Sequence, residues 1–157
     1  MSRTTTNTFK SAVFAQDTNE TFLILITIDH DDLDAPIRVS SDNVDTTSNG
    51  NTFVAFPFDL VLADDDENAS PRARLSIDNV DRQIVLAVRT ITSAPSVLVQ
   101  IVLASDTDTI EASFPDFKLE NISYNDLTVS GDLTLEEFTT EPYPSGTFTP
   151  ADFAGMF

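Results

Sequence analysis

Between Pro71 and Ala104 the apolar positions change period twice. Ala73, Leu75 and Ile77 alternate with Arg72, Arg74, Ser76 and Asp78, the period-two pattern of a half-buried strand. Val80, Ile84, Val88 and Ile91 then recur at spacings of four, four and three, which stacks them on one helical face. Asp78 stands where an N-cap belongs, and Asp81 follows where negative charge suits the helix dipole. Pro95 disfavours α conformation at Ala94, so the pattern predicts one packed helix near 79–92. Val97 to Leu103 is apolar except for Gln100, as in a strand covered on both faces.

The rest of the chain reads as strands around this unit. Residues 3–16 predict a short N-terminal helix with Phe9, Val13 and Phe14 on its apolar side, dependent on docking because it has few turns. Thr21 to Asp29 reads as a strand, His30 to Asp34 as a polar loop and Pro36 to Ser40 as a short strand. Asn49-Gly50 supplies positive φ and predicts a hairpin turn. Phe53 to Leu62 reads as one strand with Phe56, Phe58, Leu60 and Leu62 on one face, and Pro57 marks an edge or a bulge.

After the central unit, Asp106-Thr107-Asp108 reads as a turn into a short strand over Thr109–Phe114. Phe117–Tyr124 and Asp126–Glu136 read as a further pair turning at Asn125-Asp126. Gly131, on the apolar side with Leu127, Val129, Leu133 and Leu135, marks a bulge or a close backbone contact. The expected fold is mainly β: a mostly antiparallel sandwich or barrel over 1–138, carrying the packed helix. An extended Pro- and aromatic-rich C-terminal arm over 139–157 follows.

Charge changes the picture most. Against 26 acidic residues stand 8 basic ones, a net charge of -18. Binding nucleic acid by neutralising phosphates needs clustered Lys and Arg, so that class is excluded. An acidic surface keeps a chain soluble, suits high salt, and lets DNA slide past without adhering; these readings stay open together. No apolar run approaches the ~20 residues of a membrane span, so no membrane insertion is expected. Residues 1–16 lack the apolar block of a signal peptide, and no export by that route is expected.

Candidate chemistry is sparse. The single histidine, His30, lies among Asp29, Asp31 and Asp32, and reads as a solvated loop residue before it reads as a metal ligand or base. The Asp64–Asn68 acidic run fails the EF-hand pattern, because Ala69 and Leu75 occupy its Gly and Glu positions. There is no cysteine, no Gly-x-Ser-x-Gly elbow and no glycine-rich phosphate loop. No catalytic residue, cofactor or metal is expected, and the chain does not read as an enzyme. A ligand-binding β module for glycan or calcium, using the Asp29–Asp34 or Asp64–Asn68 loops, is the alternative.

What survives concerns contacts. Leu86 lies opposite Ile84 and Val88, flanked by Arg82 and Arg89, the residue types enriched where proteins meet. In the arm, Tyr143, Phe148, Phe153 and Phe157 seek a surface, either the domain's own or a neighbouring subunit's.

The segments LSIDNVDRQIVLAVRTI, SVLVQIVLASDTDTIE and FKLENISYNDLTVSGDLTLEEFTTEPYPSGTFTPADFAGMF resemble, over nearly the whole chain, a family of uncharacterised minor-tail, distal-tail-like proteins of long-tailed bacteriophages and prophages. The likeness rests on Asp-Asn-Val-Asp stepping into the helix, Leu-Ala-Ser-Asp after the next strand, Glu-Pro-x-Pro, and the Phe-x-Gly-Met-Phe terminus. Ile28-Asp29-His30 and Pro36-Ile37-Arg38 also look like the family. The chain departs from it at Ala154, where the family has proline. The resemblance implies a structural component of a tail tip or baseplate, located in the virion after synthesis in the host cytoplasm. Its implied partners are its own copies in a ring and the tail tube, hub and tape-measure proteins, with DNA passing unbound. A ring needs heterologous interfaces that close, and an arm docked on the next subunit would supply one.

Overall fold

A computed structural model describes residues 5–61, 73–78, 91, 93–125 and 128–135 of the chain. In order these form α1 (Asn7–Phe14), β1 (Phe22–Asp29), β2 (Ile37–Ser40), β3 (Thr46–Ser48), β4 (Asn51–Ala55) and β5 (Phe58–Val61). β6 (Ala73–Asp78), β7 (Ser96–Leu103), β8 (Asp106–Tyr124) and β9 (Thr128–Leu135) follow. The protein is mainly β, as the alternation predicts. The expected helix near 79–92 lies outside the described residues except for Ile91, as do the Asp64–Asn68 run and the arm over 139–157.

The strands form one nine-stranded sheet in the order β3-β4-β2-β1-β7-β8-β9-β6-β5. Every described pairing is antiparallel except β2 with β4. β8 is the fold line. Its first part pairs with β7 and its last part with β9, and the two ladders overlap at Phe117 and Lys118. Turning there, the sheet lays its halves face to face as a sandwich. Ile26, Ile28, Val39, Val97 and Val99 from one half bury against Leu75, Ile77, Leu119, Val129 and Leu133 from the other.

The opposite face of the β1 half has its own small core of Leu23, Leu25, Phe53 and Val102. The β3–β4 hairpin curls over it to reach the start of β8. Thr107 Oγ1 donates to the Thr47 carbonyl at 2.7 Å, and Asn49 N–H to Asp108 Oδ1 at 2.7 Å. The two-residue turn is the predicted one, with Asn49 at φ 48 and Gly50 at φ 77.

Two strand assignments change. Phe53 to Leu62 is not one strand but β4, next to one edge of the sheet, and β5, at the other edge. Pro57 has no N–H to continue the ladder, and its carbonyl instead accepts from Asp78 N–H at 2.9 Å. Conversely, Asp106–Asp108 is not a turn. The chain turns at Ala104-Ser105, and β8 then runs unbroken for 19 residues. Pro115 is tolerated inside it because the register skips between Val97 and Val99, leaving no ladder bond to be donated there.

Gly131 meets both expectations. A Cβ there would stand 2.8 Å from Leu119 Cδ1 and 3.1 Å from the Glu120 carbonyl oxygen. Opposite it, β8 carries a bulge between Glu120 and Ser123 with Asn121 at φ 51.

Candidate functional site

The residues singled out as interface candidates, Arg82, Leu86, Arg89, Tyr143, Phe148, Phe153 and Phe157, all lie outside the described residues. The described part offers two polar constructions and one apolar surface.

The first construction is around His30. It was expected as a solvated loop residue, yet its side chain is 9% exposed and both ring nitrogens are engaged. Asp32 N–H donates to Nδ1 at 3.0 Å, and Nε2 lies 2.7 Å from Ser93 Oγ. The loop turns back on itself, with Leu33 N–H bonded to the His30 carbonyl, and this closes the ring in. Ser96 Oγ adds a bond to the Asp29 carbonyl at 3.1 Å.

Histidine, serine and aspartate thus meet, with Asp32 Oδ2 3.6 Å from Nδ1. The tautomer decides what they do. A ring whose Nδ1 accepts from a backbone N–H carries its proton on Nε2, so it donates to Ser93 instead of removing the serine proton. A serine nucleophile needs the reverse arrangement. The cluster is a clasp between the β1–β2 loop and the segment leading into β7. Ser93 carries no sequence signal that would have paired it with His30.

The second construction holds α1. Glu111 is the unpaired residue of a bulge in β8, since Ile101 pairs with Ala112 and Val102 with Ile110. Its side chain is 4% exposed, the one buried carboxylate among the described residues. Oε2 accepts Thr6 N–H at 2.7 Å and Oε1 accepts the Thr6 hydroxyl. Thr6 is the N-cap of α1, and its Oγ1 in turn accepts Phe9 N–H at 3.2 Å. A carboxylate at a helix N-terminus also meets the positive end of the dipole. Phe9 packs edge-on against Phe22 of β1, with ring centroids 5.3 Å apart, and Ala12 is buried.

The apolar side of α1 is therefore Phe9 and Ala12, not Val13 and Phe14. Val13 is 51% and Phe14 86% exposed, although both were expected to face inward. The contact is centred on the Phe9–Ala12 side of the helix, which leaves Val13 at its margin and Phe14, about 140° round from Phe9, facing away. Val44, Val54 and Val61 are exposed too.

Between the sandwich halves lies an apolar cavity of about 10 Å³, lined in part by Ile28, Leu75, Ile77 and Leu119. That is the room of about one water, far below a ligand chamber. Among the described residues no three His, Cys, Asp or Glu side chains gather as a metal site. No helix among them is long and apolar enough to cross a membrane.

Residues 8–148 match the family described as a domain of unknown function, DUF1833, and the chain belongs to that family. No curated protein matches it.

Proposed function

We propose that this member of the DUF1833 family is a structural component of a bacteriophage tail tip or baseplate. In this reading it forms or completes a ring that links the tail tube to the receptor-binding hub, and DNA passes through without specific binding. The resemblance of its segments to distal-tail-like proteins supplies the assembly. The net charge of -18 suits a lumen that must not hold DNA.

The observation that carries the reading is a pair of apolar side chains left in solvent on α1. Val13 and Phe14 stand in solvent on a helix latched to the body. In this reading they are part of a surface that a neighbouring subunit covers. The Asp29–Asp34 loop gives no matching support to a calcium site, since no three carboxylates gather there among the described residues.

Mass spectrometry of purified tails tests the assignment. The chain is expected among tail-tip components, in the copy number of a ring; its absence from tails sinks the proposal. Removing Thr140–Phe157 is expected to leave the sandwich folded and to abolish assembly. Collapse of the truncated domain would instead mean that the arm caps its own core.

A further inference from the structure

We propose that α1 is an exchangeable strap: the seat built around Glu111 and Phe22 takes α1 of a second copy of this chain. The inference rests on the oligomeric part of the reading above and names the contact that would make it.

The seat belongs to the sheet. Glu111 is turned toward α1 by a bulge in the β7–β8 ladder, and Phe22 is fixed by its pairing with Leu103. The occupant is defined by the contacts it makes there: Thr6 on the carboxylate, Phe9 on Phe22, and Ala12 buried. Any copy of α1 makes the same contacts, so the seat does not distinguish its own helix from a neighbour's.

The connection permits exchange. Residues 15–19 are all exposed, and the chain rejoins the body where Ala104 N–H bonds the Thr21 carbonyl. Extended, the link over 15–21 reaches at most about 24 Å, enough to cross to an abutting subunit. α1 has eight residues, too short to persist in water undocked, so it is helical only while it occupies a seat.

What favours the neighbour's seat is the side of α1 left bare. In its own seat, Phe14 is 86% and Val13 51% exposed. A helix that crosses between two copies lies in their interface, where those side chains leave water. Exchange of an identical element is a low-cost route to oligomers, and it grows with concentration because the intramolecular seat competes.

The chain has no cysteine, so introduced thiols report cleanly. Copies carrying Phe9→Cys are mixed with tagged copies carrying Phe22→Cys, concentrated and treated with a short, reducible bis-maleimide. A crosslink joining tagged to untagged copies is expected, with yield rising with concentration. The double variant, crosslinked while dilute, locks each helix in its own seat and is expected to lose association, which reduction of the linker restores.

Should a cysteine variant fail to fold, unmodified chains serve, one isotope-labelled and the other not. Contacts between the Phe9 and Phe22 rings across copies are then sought by isotope-filtered NMR. Association without such crosslinks between copies or crossed ring contacts overturns the exchange and leaves the tail assignment standing. A locked variant that associates like the unlocked chain overturns it too. A chain that stays monomeric at every concentration also overturns it, while presence in purified tails still decides the assignment separately.

Discussion

Glu111 is the one buried carboxylate among the described residues, and it holds the start of a helix. Both of its oxygens accept from Thr6, and through Thr6 it sets the start of α1. Glu111→Ala would leave a part-buried N–H and a hydroxyl without their charged acceptor. The expected loss is on the order of 2 kcal/mol, read by urea denaturation of the full chain. Early loss of amide protection at Phe9 should accompany it, and unchanged stability would mean that the latch is slack. Gly131 gives a second residue-scale expectation. Gly131→Ala places a methyl against Leu119 and the Glu120 carbonyl, of which only the leucine can yield. Destabilisation of about 1–3 kcal/mol is expected from such overpacking, and a neutral result would show that β8 and β9 can separate locally. Gly131 was legible in the sequence, as a glycine at an apolar position of an alternating strand. Glu111 was not. Alternation alone would turn Ile110 inward and Glu111 outward, but Ile110 is 39% exposed and Glu111 is buried. The bulge that reverses them depends on the partner strand, which a single segment does not specify. His30 and Ser93 were hidden for a related reason, since they are 63 positions apart and meet only once β1 and β7 have paired.

At the scale of elements, the strands of the central unit follow from periodicity, because Ala73, Leu75 and Ile77 are buried and Arg74 is exposed as predicted. Prolines were harder to place. Pro57 and Pro115 both interrupt a ladder, yet one ends a strand and the other sits in a bulge of a continuing one. The difference lies in what the next residues pair with: β5 finds β6 at the far edge, while β8 passes from β7 to β9. The β3–β4 hairpin was predicted from Asn49-Gly50, but its second role was not. Asn49 also donates Nδ2 to the Asp108 carbonyl at 3.0 Å and to Ser48 Oγ at 3.3 Å, pinning the hairpin to β8. Asn49→Ala removes these bonds and puts a residue with no αL preference at φ 48. A loss of about 1–2 kcal/mol is expected. Hydrogen exchange should quicken in β3 before the sandwich core responds. Equal quickening across both would mean that hairpin and sandwich open as one unit.

For the whole molecule, the decisive quantity is the net charge of -18. The sandwich half of the reading needs only apolar alternation, and it is indifferent to the sign of the exposed positions. The charge matters because folding brings those positions together. Carboxylates that stay tens of ångströms apart in an extended chain come within a Debye length of about 10 Å at 0.1 M salt on a compact surface. Local pairing offsets this only slightly. Arg74 approaches Asp132 at 3.6 Å with the arginine 72% exposed, and an open pair of that kind is worth little. Self-repulsion therefore opposes the compact state, and still more the association of copies, each carrying the same sign. Raising sodium chloride to about 1 M shortens the screening length to about 3 Å. The melting temperature is expected to rise, and self-association in light scattering is expected to strengthen over the same range. Specific ion binding would saturate at low concentration and depend on the cation, whereas screening continues to act and depends on ionic strength alone. A melting temperature that falls with added salt would mean that attractive pairs outweigh repulsion, and the acidic surface could then no longer be treated as a uniform field facing a passing polyanion.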